Sequence, residues 1–309
     1  IRLAVQASLG ASLFPEHGAD VPMLMRRADV ALYHARSGER YRLYDPARDR
    51  HTPRRLSLMH DLIRAVEQGE IEARYQPILN LGEGRVVGVE VLARWRHAEF
   101  GEIDPEEFVP MAELSDLIRP LTLHMVRTAC AQWQQWRRQG HDLYFAVNLS
   151  PRLLMGHGWE DDLLATLKAC AMPADRLELE VTESAFIDDP ERALQAMAEL
   201  AEAGIRFGLD DFGVGYSSLT HLSRMPIDTL KIDRSFVQGM LSEPRLAAIV
   251  HSTIQLGRNL DLRVVAEGVD GTGMLRALRD MQCDHAQGFL FSPPVEADRI
   301  PPLLGRPLA

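Results

Sequence analysis

The sequence predicts an α/β protein whose main body is a (β/α)8 TIM-like barrel with an antiparallel first strand, preceded by a short N-terminal α+β segment. Three observations carry this. Eight strand-like runs alternate with longer helical stretches over about 250 residues, the count expected of such a barrel. Only Asn80 to Arg85 separates the first two runs, too little chain for a parallel crossover, so these two form a hairpin and one of them opposes the rest. Acidic and amide residues recur at the C-terminal ends of successive runs, the ends that a barrel gathers at one mouth.

Taken in order, Ile1, Leu3 and Val5 alternate with Arg2 and Ala4, and Ser8 to Phe14 continues an extended pattern up to a turn at Pro15, Glu16, His17 and Gly18. The expectation is a strand pair or one bent strand. From Val21 to Arg36, Leu24, Ala28, Leu32 and Ala35 fall at helical spacing, with Gly38 as the stop, and Tyr41 to Tyr44 resembles a short strand. About 45 residues of this kind are too few for an independent core. Because the chain opens on Ile1 inside a strand-like pattern, the segment reads as the tail of an upstream domain in a longer protein. Asp45 to Pro53, rich in Asp, Arg and Pro, marks the boundary, which divides the chain into residues 1–48 and 49–309.

Leu58, Leu62, Ile63 and Val66 then form one helical face between Arg54 and Gly69. The predicted barrel strands are Ala73 to Pro77, Val86 to Leu92, Tyr144 to Asn148, Leu177 to Val181, Arg206 to Asp210, Thr229 to Ile232, Arg263 to Glu267 and His285 to Phe289. Helices predicted at Leu121 to Gln139, Trp159 to Ala171, Pro190 to Gly204 and Glu243 to Leu260 separate them. Trp133 and Trp136, three apart on one of these helices, read as core or interface and not as a base-stacking platform.

Composition narrows the functional classes. With 46% hydrophobic and 25% charged residues among 309, the chain is neither disordered nor fibrous. Its 34 basic against 44 acidic residues leave a net charge of -10, the wrong sign for gripping a nucleic-acid polymer through phosphates. Cys130, Cys170 and Cys283 lie far apart, which suggests neither a disulfide framework nor a thiolate zinc site, and the histidines show no metal-ligand spacing. No apolar run approaches the ~20 residues of a membrane span. A cytoplasmic setting is the default reading.

The chemistry lies at the strand ends: Glu90, Asn148, Glu180, Asp210 with Asp211, Lys231 with Asp233, Glu267 and Gln287. Carboxylates converging on one small space repel one another and lose hydration unless cations neutralise them. An oxygen-only donor set points to Mg²⁺ or Mn²⁺ over zinc. The doublet Asp210-Asp211 can aim at one site only if the backbone turns sharply, which Gly213 and Gly215 permit, and such a pair can bridge two ions. Two ions ~3.5–4 Å apart stabilise both the attacking and the leaving oxygen of an in-line phosphoryl displacement. The doublets Asp161-Asp162 and Asp188-Asp189 precede or open helices and read as caps. On spacing alone, Lys231 either neutralises Asp210, Asp211 or Asp233 or takes part in catalysis, and Arg94 either pairs with Glu90 or reaches an anionic substrate.

These residues resemble a known family. Glu90-Val91-Leu92-Ala93-Arg94 is similar to the ExLxR motif of EAL domains. Tyr75-Gln76-Pro77, Asn148-Leu149-Ser150, Glu180 to Ser184, Asp210 to Ser218, Lys231-Ile232-Asp233, Ala266 to Val269 and Gln287-Gly288-Phe289 follow in family order, over roughly Arg54 to Leu304. The segment Ser8 to Glu16 with Ala28 to Tyr33 resembles the C-terminal end of a GGDEF domain, without its signature loop. The resemblance implies a cyclic di-GMP phosphodiesterase of bacterial second-messenger signalling that yields pGpG with two Mg²⁺ or Mn²⁺ ions. It implies Glu90, Asn148, Glu180 and Asp210 as ligands of one metal, with Asp210 and Asp211 reaching the second. Glu267 is implied as general base or second-site ligand and Lys231 as the residue that positions the nucleophilic water. Gln76, Leu92, Arg94 and Asp233 are implied to line the dinucleotide site, Gln287 to lie near the metals, and Glu183 to organise the loop after the fifth strand. A homodimer and upstream GGDEF or sensor domains are further expectations.

Val91 and Asp270 depart from the family pattern. Asp270 stands where many members have Glu, so a hydrogen bond from that position is expected to lengthen or redirect. The competing readings are a catalytically weak or inactive cyclic di-GMP receptor and, from fold alone, an unrelated metal-dependent barrel enzyme. The complete motif set favours the phosphodiesterase.

Overall fold

A computed structural model describes residues 9–35, 41–45, 53–187, 189–214 and 222–304. It divides into two units, Ile1–Arg64 and Ala65–Ala309. The strand predicted over Ile1 to Val5, the helix stop at Gly38, the boundary at 48/49, Asp188, and the loop from Gly215 to Ser218 lie outside the described residues.

In the first unit, β1 (Leu9–Ala11) pairs in parallel with β2 (Tyr41–Leu43), and α1 (Val21–Ala35) connects them. Of the strand pair or bent strand expected over Ile1 to Phe14, the described part is a strand of three residues that finds its partner beyond the helix. A Cβ at Gly10 would stand 2.1 Å from Leu32 N, so only glycine lets α1 lie this close to β1. The helix α2 (Pro53–Gln68) spans the division between the units and ends at Gly69, whose φ of 71° is open to glycine at little cost.

The second unit is the barrel. Its eight strands are β3 (Ile71–Asn80), β4 (Arg85–His97), β6 (Tyr144–Asn148), β7 (Leu177–Thr182), β8 (Arg206–Phe212), β9 (Thr229–Ile232), β10 (Arg263–Ala266) and β11 (His285–Ala286). They close in the order β3-β11-β10-β9-β8-β7-β6-β4, with β3 pairing back onto β4. β3 is antiparallel to both of its neighbours and every other barrel pairing is parallel, as the short Asn80–Arg85 connection requires.

Three strand expectations are corrected. β4 runs on to His97, paired with β3 as far as Trp95 and over Trp95–His97 with an additional edge strand, β5 (Gly101–Ile103), so Glu90 sits within the strand and not at its end. β11 stops at Ala286, and residues 287–292 form a bonded turn. β8 continues through Asp211 to Phe212 with an irregular register against β9.

Alternation along each strand sends one residue of every pair inward and the other toward the helices. Outward Val89, Phe145, Leu179 and Phe207 are fully buried beneath the helical layer. Tyr75 packs edge-on against Trp136, with ring centroids 5.3 Å apart, and both Trp133 and Trp136 are core residues as expected. Inward, Ile78, Tyr144, Ala146 and Val265 plug the barrel's middle, and a Cβ on Gly88 would strike the Tyr144 ring at 2.5 Å. Below this plug, Glu178 Oε2 accepts from Thr229 Oγ1 and Arg263 Nη2, both at 2.7 Å. Above it, the inward positions turn polar, and they form the site.

Of the two acidic doublets read as caps, one supplies a cap at Asp189, and the other lies in a first turn whose N-cap, Gly158, makes no side-chain bond. Asp161 and Asp162 lie in the first turn of α3 (Trp159–Ala169), where the N-terminal dipole favours carboxylates, and Asp189 accepts from Arg192 N at the head of α4 (Pro190–Glu202).

Candidate metal centre at the barrel mouth

Register and pleat set the site. Gln76 lies opposite Glu90 across the β3–β4 hairpin, and Asn148 lies beside Glu180 across β6–β7, so the same pleat that aims one aims its neighbour. Lys231 comes from β9, Asp210 from β8, and Glu267 and Gln287 directly follow β10 and β11.

Lys231 is the centre of this set. It is 1% exposed, and its Nζ lies 2.8 Å from Glu267 Oε1, 2.9 Å from Glu180 Oε1, 3.3 Å from Asp210 Oδ1 and 3.8 Å from Glu90 Oε2. Burial alone would drive its pKa down, yet the four carboxylates hold it well above its ordinary value, so it is an ammonium ion. Spacing had offered Asp210, Asp211 or Asp233 as its partners; of these only Asp210 is one. Asp233 instead accepts from Ser235 N at 3.0 Å, capping the short helix α5 (Arg234–Gly239) while also lining the cavity.

The carboxylates are not equivalent. Burial works to raise Glu90, but Lys231 and hydrogen bonds from Gln287 and Asn148 overcome it and hold Glu90 below its usual range. Asn148 Nδ2 donates to Glu90 Oε1 at 2.9 Å, and Gln287 Nε2 donates to Glu90 Oε2 and, at 3.0 Å, to Gln76 Oε1. Burial pushes Glu180 well up even with Lys231 beside it. Burial likewise lifts Glu267 to about 8 against the pull of Lys231, with Asp210 and Glu90 adding to the rise. Asp211 is raised by burial and then by Asp210 next to it.

The Asp210-Asp211 doublet does converge with Glu267: one carboxylate oxygen from each lies within 4.8 Å of the others. The sharp turn expected of Gly213 and Gly215 begins two residues before the first of them, at Asp211 with φ 53°, and continues through Gly213 at φ 98°. This left-handed residue breaks the β8 register and swings both carboxylates to one side. Asp211 N donates to Asp210 Oδ1 at 2.9 Å, and Gly213 N donates to Glu183 Oε1 at 3.0 Å, so the buried Glu183 carboxylate holds the turn from below without joining the cluster.

These donors suit a hard divalent cation. They are oxygens, they are partly stripped of water, and Glu180 Oε2 is buried with no hydrogen-bond partner. A lone ammonium ion at the centre leaves that oxygen for another cation.

A cavity of about 450 Å³ opens over the cluster, lined by Gln76, Glu90, Leu92, Asp210, Asp211, Asp233, Glu267 and Gln287 among the residues expected from sequence. Arg94 lies elsewhere. Its Nη1 donates to Ala93 O at 2.8 Å and its Nε lies 3.7 Å from Glu102, in place of the pairing with Glu90 weighed from spacing. Arg94 lines a neighbouring, largely apolar cavity of about 390 Å³, which shares Leu92 and Glu106 with the first. Sequence reading missed Glu106, Arg234, Gln238 and Phe289 as lining residues. Arg234 directly follows the motif residue Asp233 and Phe289 closes the motif Gln287-Gly288-Phe289, and that was the signal available. Asp270 keeps two hydrogen bonds despite its shorter side chain, accepting from Gln238 Nε2 at 3.0 Å and Phe289 N at 3.2 Å.

Comparison with known proteins bears on this geometry. A family model described as the EAL domain matches residues 59–294. The chain is 38% identical over 300 residues to an uncharacterized signaling protein of Caulobacter vibrioides, covering 96% of this chain and 37% of that protein. It is 36% identical over 299 residues to the bifunctional diguanylate cyclase/cyclic di-GMP phosphodiesterase MucR of Pseudomonas aeruginosa, covering 96% of this chain and 44% of that protein. It is 34% identical over 299 residues to the cyclic di-GMP phosphodiesterase PdeR of Escherichia coli, covering 96% of this chain and 45% of that protein. The chain thus spans less than half the length of these curated relatives. Among solved structures, the PaMucR phosphodiesterase in complex with c-di-GMP superposes with a TM-score of 0.75 at 38% identity, covering 79% of this chain and 99% of that one.

Proposed function

The chain belongs to the EAL domain family, and from that premise we propose that it linearises cyclic di-GMP to pGpG by metal-dependent hydrolysis. The observation that carries this reading is the convergence of Glu90, Glu180, Asp210 and Glu267 around one buried lysine, with Asp211 joining Asp210 and Glu267, beneath an open cavity. Glu90, Asn148, Glu180 and Asp210 would hold one divalent ion, Mg²⁺ or Mn²⁺, and Asp210 with Asp211 a second. When bound, such ions polarise a phosphoryl oxygen and make water nucleophilic near neutral pH.

The chain's own residues do the rest. Glu267, lifted to about 8, is suited to take a proton from the attacking water or to serve as a second-site ligand. Lys231, held as an ammonium, orients that water and keeps the carboxylates from repelling one another. Gln287, donating to both Glu90 and Gln76, ties the metal side of the site to the substrate side. Gln76, Leu92, Arg94 and Asp233 would receive the dinucleotide. The shared lining of the polar and apolar cavities supports a two-base ligand spread across both. Glu183 would keep the loop after β8 in place.

For the rest of the protein, residues 1–48 are read as the end of a GGDEF-like domain with its linker, and 49–309 as the phosphodiesterase. That the bifunctional diguanylate cyclase/cyclic di-GMP phosphodiesterase MucR matches 96% of this chain supports reading a cyclase-derived segment ahead of the barrel. Further upstream sensor or cyclase domains, a homodimer and a cytoplasmic site of action complete the proposal. Among the described residues no helix is long and apolar enough to cross a membrane.

The test is chromatography with mass detection of cyclic di-GMP incubated with the purified chain, with Mg²⁺ or Mn²⁺ and in parallel with EDTA. Metal-dependent pGpG, abolished by Glu90→Gln or Asp210→Asn, is the expected result. Dinucleotide that binds but stays intact would overturn the enzyme in favour of a receptor, and wild-type rates in either variant would overturn the metal assignment.

A further inference from the structure

The motif Asn148-Leu149-Ser150 supplies a ligand residue in its first position and leaves its last unassigned. Ser150 is the N-cap of the short helix Pro151–Met155, where its Oγ accepts from Arg152 N at 3.2 Å. Capping needs only that acceptor. The hydroxyl proton goes elsewhere, to Glu113 Oε1 at 2.6 Å, and Arg152 Nη1 donates to Glu113 O at 2.7 Å. Glu113 belongs to the helix Pro105–Leu114, so two hydrogen bonds tie the end of that helix to the turn that leaves β6.

Asn148 shows why the turn needs holding. Glu90 and Glu180 are buried among their partners, whereas Asn148 is exposed at the mouth. Packing does not fix an exposed side chain, so its aim depends on the backbone that carries it. On the barrel side, Leu149 N donates to Glu180 O at 2.8 Å. On the outer side the apolar cavity intervenes: Val109 and Glu113 line it from the helix, and Val147 and Leu149 from β6 and the turn. Close packing therefore does not seat the turn on the helix, and the Glu113–Ser150 bond spans the gap. With the turn held from both sides, Asn148 Nδ2 meets Glu90 Oε1, which leaves the amide oxygen for a cation. Glu113 does not line the polar cavity itself. We propose that Glu113 is a positioning residue for the metal site: acting through Ser150, it fixes the turn after β6 and so aims Asn148. This rests on the metal-dependent reading given above.

Titration of the purified chain with Mn²⁺, followed by electron paramagnetic resonance without substrate, tests it. Glu113→Ala is expected to weaken Mn²⁺ binding about tenfold or more, the scale of losing a hydrogen-bonded partner behind a metal ligand. Glu113→Gln, which keeps a carbonyl acceptor for Ser150, is expected to stay within about threefold of wild type. Ser150→Gly removes the donor at little cost to the cap and is expected to lose as much as Glu113→Ala, and it carries the test where Glu113→Ala does not fold. In an Asn148→Ala background, which has already lost the ligand, adding Glu113→Ala is expected to cause no further loss, because the two changes act through one atom. With saturating Mn²⁺, the KM of Glu113→Ala for cyclic di-GMP should remain within about threefold of wild type. Unchanged Mn²⁺ affinity in either Glu113→Ala or Ser150→Gly, an equal loss in Glu113→Gln, or a full further loss in the Asn148→Ala background would overturn the positioning role. If the wild type itself neither binds Mn²⁺ nor cleaves cyclic di-GMP, it is the functional reading that fails.

Discussion

Replacing Lys231 by Met tests whether this lysine is the counter-ion that lets the metal-free site exist. Met matches the length of the stem but removes the only cation within 4 Å of Glu90, Glu180, Asp210 and Glu267 among the described residues. At an effective dielectric near 20, each of those contacts is worth roughly 4–6 kcal/mol before desolvation is charged against it. Stripping water from a fully buried ammonium opposes much of that sum, and the carboxylates can respond by taking up protons. What survives is the cost of leaving buried charges uncompensated, about 3–5 kcal/mol. For a unit of this size, 1 kcal/mol moves the melting temperature by about 2–4 °C, so the variant should melt roughly 6–20 °C below wild type in EDTA. Excess Mn²⁺ supplies the missing positive charge, so it should stabilise the variant more than the wild type even though turnover stays low. Calorimetry of both proteins, with EDTA and with Mn²⁺, checks this. A melting temperature in EDTA within about 2 °C of wild type would show that the cluster is neutralised in some other way and that the central role given to Lys231 is wrong.

Two further outcomes follow from the supporting residues. Glu183→Ala removes the acceptor of Gly213 N and should lower kcat at least about tenfold, while Glu183→Gln, which keeps a carbonyl oxygen there, should recover most of it; equal rates in all three proteins would refute the loop role. His285, 6% exposed, is lowered to about 4, first by burial and then by Arg263. Between about 6.5 and 4 the unfolded chain binds the proton that the folded one refuses, so stability falls as pH falls through this window. The loss between pH 7 and pH 5 should be about 2 kcal/mol more in wild type than in His285→Asn, read from urea unfolding; parallel pH profiles would contradict it.

The barrel was legible because its strands carry two codes at once. In Leu177-Glu178-Leu179-Glu180, period-two alternation marks a strand, and the acidic phase of that alternation marks which face meets the chemistry. The hairpin was legible because chain length forbids a crossover between Asn80 and Arg85. What escaped was set by tertiary pairing. Nothing local announces β5, because Gly101–Ile103 becomes a strand only when the second half of β4 offers its edge. Pairing with β3 carries β4 to Trp95 and pairing with β5 carries it on to His97, which turns Glu90 from a strand-end residue into a mid-strand one. Arg94 offered two partners on spacing and took a third, Glu102, from that unforeseen strand. Phe289 was hidden inside a motif: the sequence places an aromatic there but not whether it faces core or solvent.

The backbone at Asp211 shows why glycine spacing was an incomplete guide to the doublet. A left-handed non-glycine residue costs of order 1–3 kcal/mol and persists only where its surroundings over-determine it. Here they do: Asp210 Oδ1 takes the Asp211 N–H, Glu183 takes the Gly213 N–H, and Val214 N closes onto Asp211 O at 3.2 Å. A glycine at 211 would relieve the strain and remove the carboxylate that the turn exists to deliver. The strained geometry and the acidic side chain are thus one requirement. Sequence alone shows the side chain, while the conformation is set by a buried glutamate 28 positions earlier.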